Sequence, residues 1–151
     1  MQKIRIRKAQ KQDAQTIINF NRQMALETED KDLDPGKITP GVKAVLEDAH
    51  KGFYLIAEID GQAAGSLMIT YEWSDWRNGY FWWIQSVYVI QKQRRKGVYT
   101  ALHKKVRELA SQNDDVIGFR LYVEKDNTAA QKTYEKIGMN PTYYKMYEEM
   151  K

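Results

Sequence analysis

Residues 80–89 carry no charge and are dominated by aromatic and β-branched side chains, from Tyr80 through Trp82, Trp83 and Ile84 to Val89. That composition favours a strand. A basic segment follows (Arg94, Arg95, Lys96, Gly97), and then apolar residues at Val98, Ala101, Leu102, Val106, Leu109 and Ala110 repeat at the spacing of one helix face. A strand that turns through a short glycine-bearing loop into an amphipathic helix restricts the chain to an α/β architecture. It also gathers backbone N–H groups, the positive helix end and cationic side chains in one place, which suits phosphate. By itself the same loop reads equally as an ordinary connection with solvated Lys and Arg.

The other elements fit around this unit. Ile4 to Arg7 alternates apolar with charged residues and predicts a first strand. From Asp13 a helix is expected, with Ala14, Ile17, Ile18, Met24 and Ala25 on one stripe. Residues 27–32 are a charge run, which reads as a solvated loop. Thr39 and Pro40 suggest an N-cap and first helical position for a second helix that Gly52 ends. Residues 53–59 and 63–71 predict a hairpin about Asp60-Gly61. Asn78-Gly79 signals the next turn, residues 116–123 a fifth strand, residues 127–137 a helix stopped by Gly138, and residues 143–147 a last strand.

The length of 151 residues fits one domain, residues 1–151, with room for a real core. No apolar run is long enough to span a bilayer, and the first residues lead into no signal-peptide core. With no cysteine there is no disulfide, Cys-based metal site or Cys nucleophile, which accords with a cytoplasmic setting. The two histidines, His50 and His103, fall on predicted helices away from any partner motif, so a His metal site or a Ser-His-Asp triad is not expected. A net charge of +4 suits a small polyanionic ligand. The basic residues Lys92, Arg94, Arg95 and Lys96 are confined to one loop, so nucleic-acid binding is a weak reading.

A second motif lies downstream: Asn127, Ala130, Tyr134, Gly138 and Met139. Together with Arg94, Arg95, Lys96, Gly97, Val98 and Tyr99, it makes the chain resemble the GNAT superfamily of acetyl-CoA-dependent N-acetyltransferases. The downstream pattern is complete. The upstream one departs at Tyr99, where the family usually has Gly or Ala. The order of segments fits from about residue 3 to the C-terminus. The resemblance implies a mixed central sheet of about six to seven strands flanked by about four helices. It also implies transfer of an acetyl group from acetyl-CoA to an amine, without a metal, in a ternary complex and with no covalent enzyme intermediate.

Carried over residue by residue, the resemblance gives Arg94, Arg95, Lys96, Gly97, Val98, Tyr99 and Thr100 to the pyrophosphate of CoA. Tyr99 contributes there through its backbone only, with its ring turned away. The backbone of Val87, Tyr88 and Val89 pairs with the pantetheine arm, and a strand amide polarises the thioester carbonyl. Asn127 binds pantetheine and Tyr134 protonates the departing thiolate. The two lie two helical turns apart and so share a face, and a phenol is a reasonable donor to a thiolate. The bland alternative is that Asn127 is an N-cap and Tyr134 a helix core residue.

The base is less determined. Some members carry a strand-four glutamate, where this chain has Trp83. Glu72, Glu29 and Asp75 are the candidates that could border the substrate side, Glu72 being preferred because it ends strand three opposite the aromatic strand; for any one of them plain surface acidity is the commoner reading, and a water relay is the alternative. Trp73, Trp76, Trp82 and Trp83 could wall an amine or simply pack. The acceptor is then a small-molecule or protein amine, with no membrane partner and a homodimer left open. A non-catalytic acyl-CoA-binding or sensing module is the alternative, favoured if tryptophans plug the acceptor cleft.

Overall fold

Left-handed backbone at Asp60 (φ 53°) and Gly61 (φ 75°) turns β2 (Phe53–Ile59) into β3 (Gln62–Ser74). Two consecutive positive φ angles match the right-handed strand twist, so the Asp-Gly hairpin forms as the sequence predicts. The computed structural model describes residues 3–151. Their element order is β1 (Ile4–Lys8), α1 (Ala14–Glu29), α2 (Pro35–Glu47), β2, β3, β4 (Gly79–Val89), α3 (Val98–Ser111), β5 (Val116–Arg120) and α4 (Thr128–Lys136), with short 3-10 turns before α1 and after β4. The five strands form one sheet in sequence order. β1 to β4 are antiparallel neighbours, and β5 joins β4 in parallel after the α3 crossover.

The chain divides into two compact units, Met1–Leu121 and Tyr122–Lys151. In the first, the strand alternation sends residues to two separate cores. Leu55, Leu67, Ile69, Trp82 and Ile84 pack with Val98, Leu102 and Val106 of α3. Tyr54 and Ile56 pack with Ile17, Ile18 and Val42 of α1 and α2. The sheet therefore lies between α3 on one face and the α1–α2 pair on the other. Leu102 and Val106 are fully buried, so truncating either leaves a cavity, worth roughly 2–5 kcal/mol for Leu102→Ala.

The second unit contains α4. The Asn127 side chain caps it, accepting from the Ala130 amide at 3.1 Å, and Gly138 (φ 103°) follows its end.

Four expectations need correction. The charge run at 27–32 is not all loop: α1 extends through Glu29, so the first three residues of the run are helical. The described residues contain five strands rather than six or seven, because residues 143–147 form no strand and Tyr143, Tyr144 and Tyr147 are exposed. Residues 121–123 lie outside β5. Finally, α2 starts at Pro35 instead of Pro40: Asp34 accepts from the Gly36 amide at 2.8 Å with proline at the first position. The same cap-plus-proline signal occurs twice, and the earlier copy wins. Pro40 is left inside the helix without an N–H to give to the carbonyl of Gly36.

Candidate active site

β4 changes character along its length. From Tyr80 to Trp83 it pairs with β3 on one side and β5 on the other. The β5 ladder stops at Trp83, and among the described residues no strand takes up that side of β4 afterwards. The β3 side is also disturbed just beyond. β3 advances from Ser66 to Met68 while β4 advances from Tyr88 back to Gln85, which puts one extra residue on β4. Ser86 takes it up with φ 52°, a left-handed value that marks a bulge. Val87, Tyr88 and Val89 therefore follow a kink and face an open strand edge, which offers main-chain donors and acceptors to an extended ligand.

The chain then passes through a 3-10 turn at Gln91–Gln93 into the basic loop. Arg95 (φ 63°) and Gly97 (φ 84°) are both left-handed, and Gly97 caps the 14-residue α3. Alternating backbone of this kind turns successive N–H groups toward one concavity, and the first amides of α3 add to it. A Cβ built on Gly97 meets nothing within 4 Å, so the space beside it is open. The loop thus carries a series of backbone amides to the N-terminus of α3.

Its side chains divide their work. Arg94 faces back: its Nε donates to the carbonyl of Val89 at 2.8 Å, its Nη2 bonds Glu27 of α1, and its guanidinium lies 5.5 Å from the Tyr88 ring centroid. The Tyr88 hydroxyl donates to the other Glu27 oxygen at 2.6 Å. These two bonds hold the Glu27 carboxyl below its usual range, the Tyr88 bond contributing most. Burial, followed by this carboxylate, pushes the Tyr88 phenol up. Arg94 therefore ties the loop to α1. Beside this tie, an open cleft of about 680 Å³ is lined by Asn19, Phe20, Gln23, Glu27, Tyr88 and Ile90, among others.

Tyr99 turns inward, as expected for a bulky residue at that place. It packs on the α3 core, and its hydroxyl lies 3.1 Å from Nδ1 of His103, one helical turn on. His103 is buried, its Nε2 has no hydrogen-bond partner, and burial together with the Arg107 charge pulls it down to about 4. The sequence reading placed His103 away from any motif. Its spacing of four from Tyr99 was the available signal.

On the α1–α2 face, Glu72 of β3 lies opposite Phe81 and Thr70 opposite Trp83. Glu72 Oε1 accepts from the Trp83 indole at 2.7 Å and from Arg120 Nη1 at 3.0 Å, and the same Arg120 nitrogen is 3.2 Å from Oε2. Gln85 bonds Thr70 at 2.5 Å beside them. Glu72 and Trp83 therefore do meet, as the hairpin register predicts. Arg120 is a partner the sequence reading missed, because it arrives on β5 through a parallel pairing that no local pattern encodes. The tryptophans do not form one wall. Trp82 belongs to the α3-side core, Trp83 faces the α1–α2 side, Trp73 meets Tyr80 edge-to-face (centroids 4.9 Å) and Trp76 is exposed.

In the second unit, Asn127 uses its side-chain oxygen as the α4 cap. Tyr134 lies on α4, half-buried, and burial pushes its phenol above the usual value. No cluster of three or more His, Asp or Glu side chains that could hold a metal occurs among the described residues, and no helix there is long and apolar enough to cross a membrane.

The sequence model of the Acetyltransferase (GNAT) family matches residues 16–139. Among solved structures, a possible acetyltransferase from Clostridium difficile 630 is 46% identical, with 97% of each chain covered and a TM-score of 0.89. A predicted acetyltransferase with acetyl-CoA from Clostridium acetobutylicum is 19% identical, covering 97% of this chain and 96% of that one at a TM-score of 0.80. An aminoglycoside N-acetyltransferase in complex with CoA is 16% identical, covering 99% and 96% at a TM-score of 0.81. These two share the fold. A comparison with curated protein sequences gave no match. A bulged fourth strand, a basic amide cradle leading into α3, and a family match over most of the chain agree: this protein belongs to the acetyltransferase (GNAT) family.

Proposed function

We propose that the protein is an N-acetyltransferase that moves the acetyl group of acetyl-CoA to a primary amine by direct transfer in a ternary complex. The observation that carries this reading is the course of β4: an open, kinked edge at Val87–Val89 runs straight into the amide cradle at Arg94–Thr100. Pantetheine would pair along that edge, and the pyrophosphate would sit on the amides of Gly97, Val98, Tyr99 and Thr100. The side chains of Arg95 and Lys96 supply charge, while Arg94 holds the loop. Solved structures of like fold contain CoA or acetyl-CoA, which supports the donor.

In the reaction, the neutral amine attacks the thioester carbonyl and a strand-four amide stabilises the oxygen as it gains charge. The C–S bond then breaks and the sulfur takes a proton. Tyr134 is the proposed donor. Its raised phenol stays protonated at neutral pH, so it acts by hydrogen-bonding to sulfur as charge develops there. The amine nitrogen loses its proton toward Glu72. Because Trp83 and Arg120 already occupy the Glu72 oxygens, a water carries that proton to it. Asn127 keeps its amide hydrogens for pantetheine while its oxygen caps α4. The amine belongs to a small molecule or a protein.

The test is an amine-panel assay that follows free thiol released from acetyl-CoA, with the product checked by mass spectrometry. Amine-dependent thiol release with N-acetylated product supports the reading. Binding of acetyl-CoA with no transfer to any amine would leave a non-catalytic acyl-CoA module instead.

A further inference from the structure

Arg120 stands on a built shelf. Gly118 and Phe81 are partners across the β4–β5 ladder, and a Cβ on Gly118 would come within 3.0 Å of the Phe81 ring. The absence of a side chain at Gly118 leaves room for the edge of that ring, and the Arg120 guanidinium rests 3.6 Å from the ring centroid. The guanidinium is also held by Nη1, which donates to both oxygens of Glu72. Its Nε and Nη2 have no protein partner among the described residues, and the side chain is 29% exposed. The Nε/Nη2 edge is one of the two ways an arginine meets a carboxylate through a pair of parallel hydrogen bonds. Stacking, an ion pair and a missing Cβ thus immobilise a cation while leaving its bidentate edge open.

We infer that Arg120 is the anchor for a carboxylate on the acceptor, so that the acceptor is an elongated amino acid or short peptide rather than a simple polyamine. The inference rests on the acetyl-transfer reading above and deepens it. Glu72 neutralises Arg120, so the pair makes no net trap for a cation, whereas an acceptor carboxylate would complete the unused edge. Trp83 lies opposite Arg120, and the bulge at Ser86 is three residues further along β4. At about 3.3 Å per strand residue, that places the acyl end on the order of 10 Å from the anchor. The Arg120 head leans over Phe81, away from the bulge, which lengthens the span. The fitting acceptor therefore separates its amine from its carboxylate by several bonds, as in an ω-amino acid or dipeptide.

The test compares 6-aminohexanoate with 6-aminohexanamide and hexylamine, in the presence of CoA. Two readouts are used: the NMR resonance of the Trp83 indole N–H, assigned with Trp83→Phe, and thiol release from acetyl-CoA. The carboxylate should shift the indole signal and bind at least tenfold tighter than its amide. Arg120→Gln should erase that preference, and Arg120→Lys should keep part of it. Glu72→Gln removes the competing anion, so it should tighten carboxylate binding several-fold while lowering kcat. Equal binding of acid and amide by the unaltered protein, or a preference that survives in Arg120→Gln, overturns the inference. Should Arg120→Gln fail to fold, looser carboxylate binding in Glu72→Gln overturns it instead. Selective binding without thiol release would leave the anchor standing and remove the acetyl-transfer reading; efficient acetylation of hexylamine alone would do the reverse.

Discussion

The carboxylate of Glu27, near the end of α1, receives the hydroxyl of Tyr88 from the kinked half of β4 at 2.6 Å. The same carboxylate holds Arg94, so one side chain joins α1, the open strand edge and the start of the basic loop. Glu27→Gln should cost about 1 kcal/mol of stability, since charge-assisted bonds are worth more but these are part-exposed. It should also weaken CoA binding about three- to tenfold by releasing the loop. Thermal unfolding and calorimetry read the two effects separately. Unchanged CoA affinity in Glu27→Gln would mean that the tie does not hold the cradle.

Gly97 gives a sharper test of the cradle. Its φ of 84° makes any side chain strained, by about 1–2 kcal/mol, although the space around it is open. Gly97→Ala should lose that stability and little else. Gly97→Val should in addition push a side chain into the space proposed for phosphate and lower CoA affinity at least tenfold. Equal CoA affinity in Gly97→Val and the unaltered protein removes the loop assignment.

Tyr134→Phe keeps the ring and deletes the hydroxyl. Turnover of an active amine should fall by ~10²–10⁴ while acetyl-CoA affinity stays within a factor of two. Single-turnover kinetics isolate the chemical step. Full activity there would assign protonation of sulfur to water.

His103 makes stability depend on pH. In the fold it is held neutral down to about 4, against an ordinary value of 6.5, by burial and then by Arg107; Tyr99 and Phe119 are its other close neighbours. A base with a lowered folded pKa takes its proton more readily in the unfolded chain. Stability is therefore complete above about pH 6.5 and falls as pH drops toward 4, by a few kcal/mol over that window. Melting temperatures of His103→Gln should show a flatter acid limb than the unaltered protein. Parallel limbs would mean that some other group governs acid unfolding.

The elements most legible in the sequence were those fixed by local rules. Asp60-Gly61 demands a tight hairpin, the apolar spacing after Gly97 demands one helix face against the sheet, and Asn127 with Gly138 marks both ends of α4. The misplaced start of α2 shows the limit of such rules, since Asp34-Pro35 and Thr39-Pro40 carry one signal and nothing local says which copy starts the helix. Of the candidate site, the sequence showed the parts that backbone conformation forms, the turn at Gly97 and the strand through Val87 to Val89. It was opaque where partners come from distant sequence. Glu27 with Tyr88, and Glu72 with Arg120, are joined only by the register of the folded sheet and by the placing of α1 on it. A periodicity in one segment holds no information about the charge that arrives from another.

The open side of β4 beyond Trp83 presents main-chain groups, which every residue type carries alike. Replacing the side chains at Ile84, Val87 or Val89 alters packing but leaves the row of donors and acceptors unchanged. The opposite holds for Glu72, Thr70 and Arg120, where each substitution rewrites charge or hydrogen-bonding on the face they share. One strand therefore separates two rates of change. The side-chain chemistry of the α1–α2 face can drift by single mutations, while the edge beside it is insensitive to them as long as the kink at Ser86 survives.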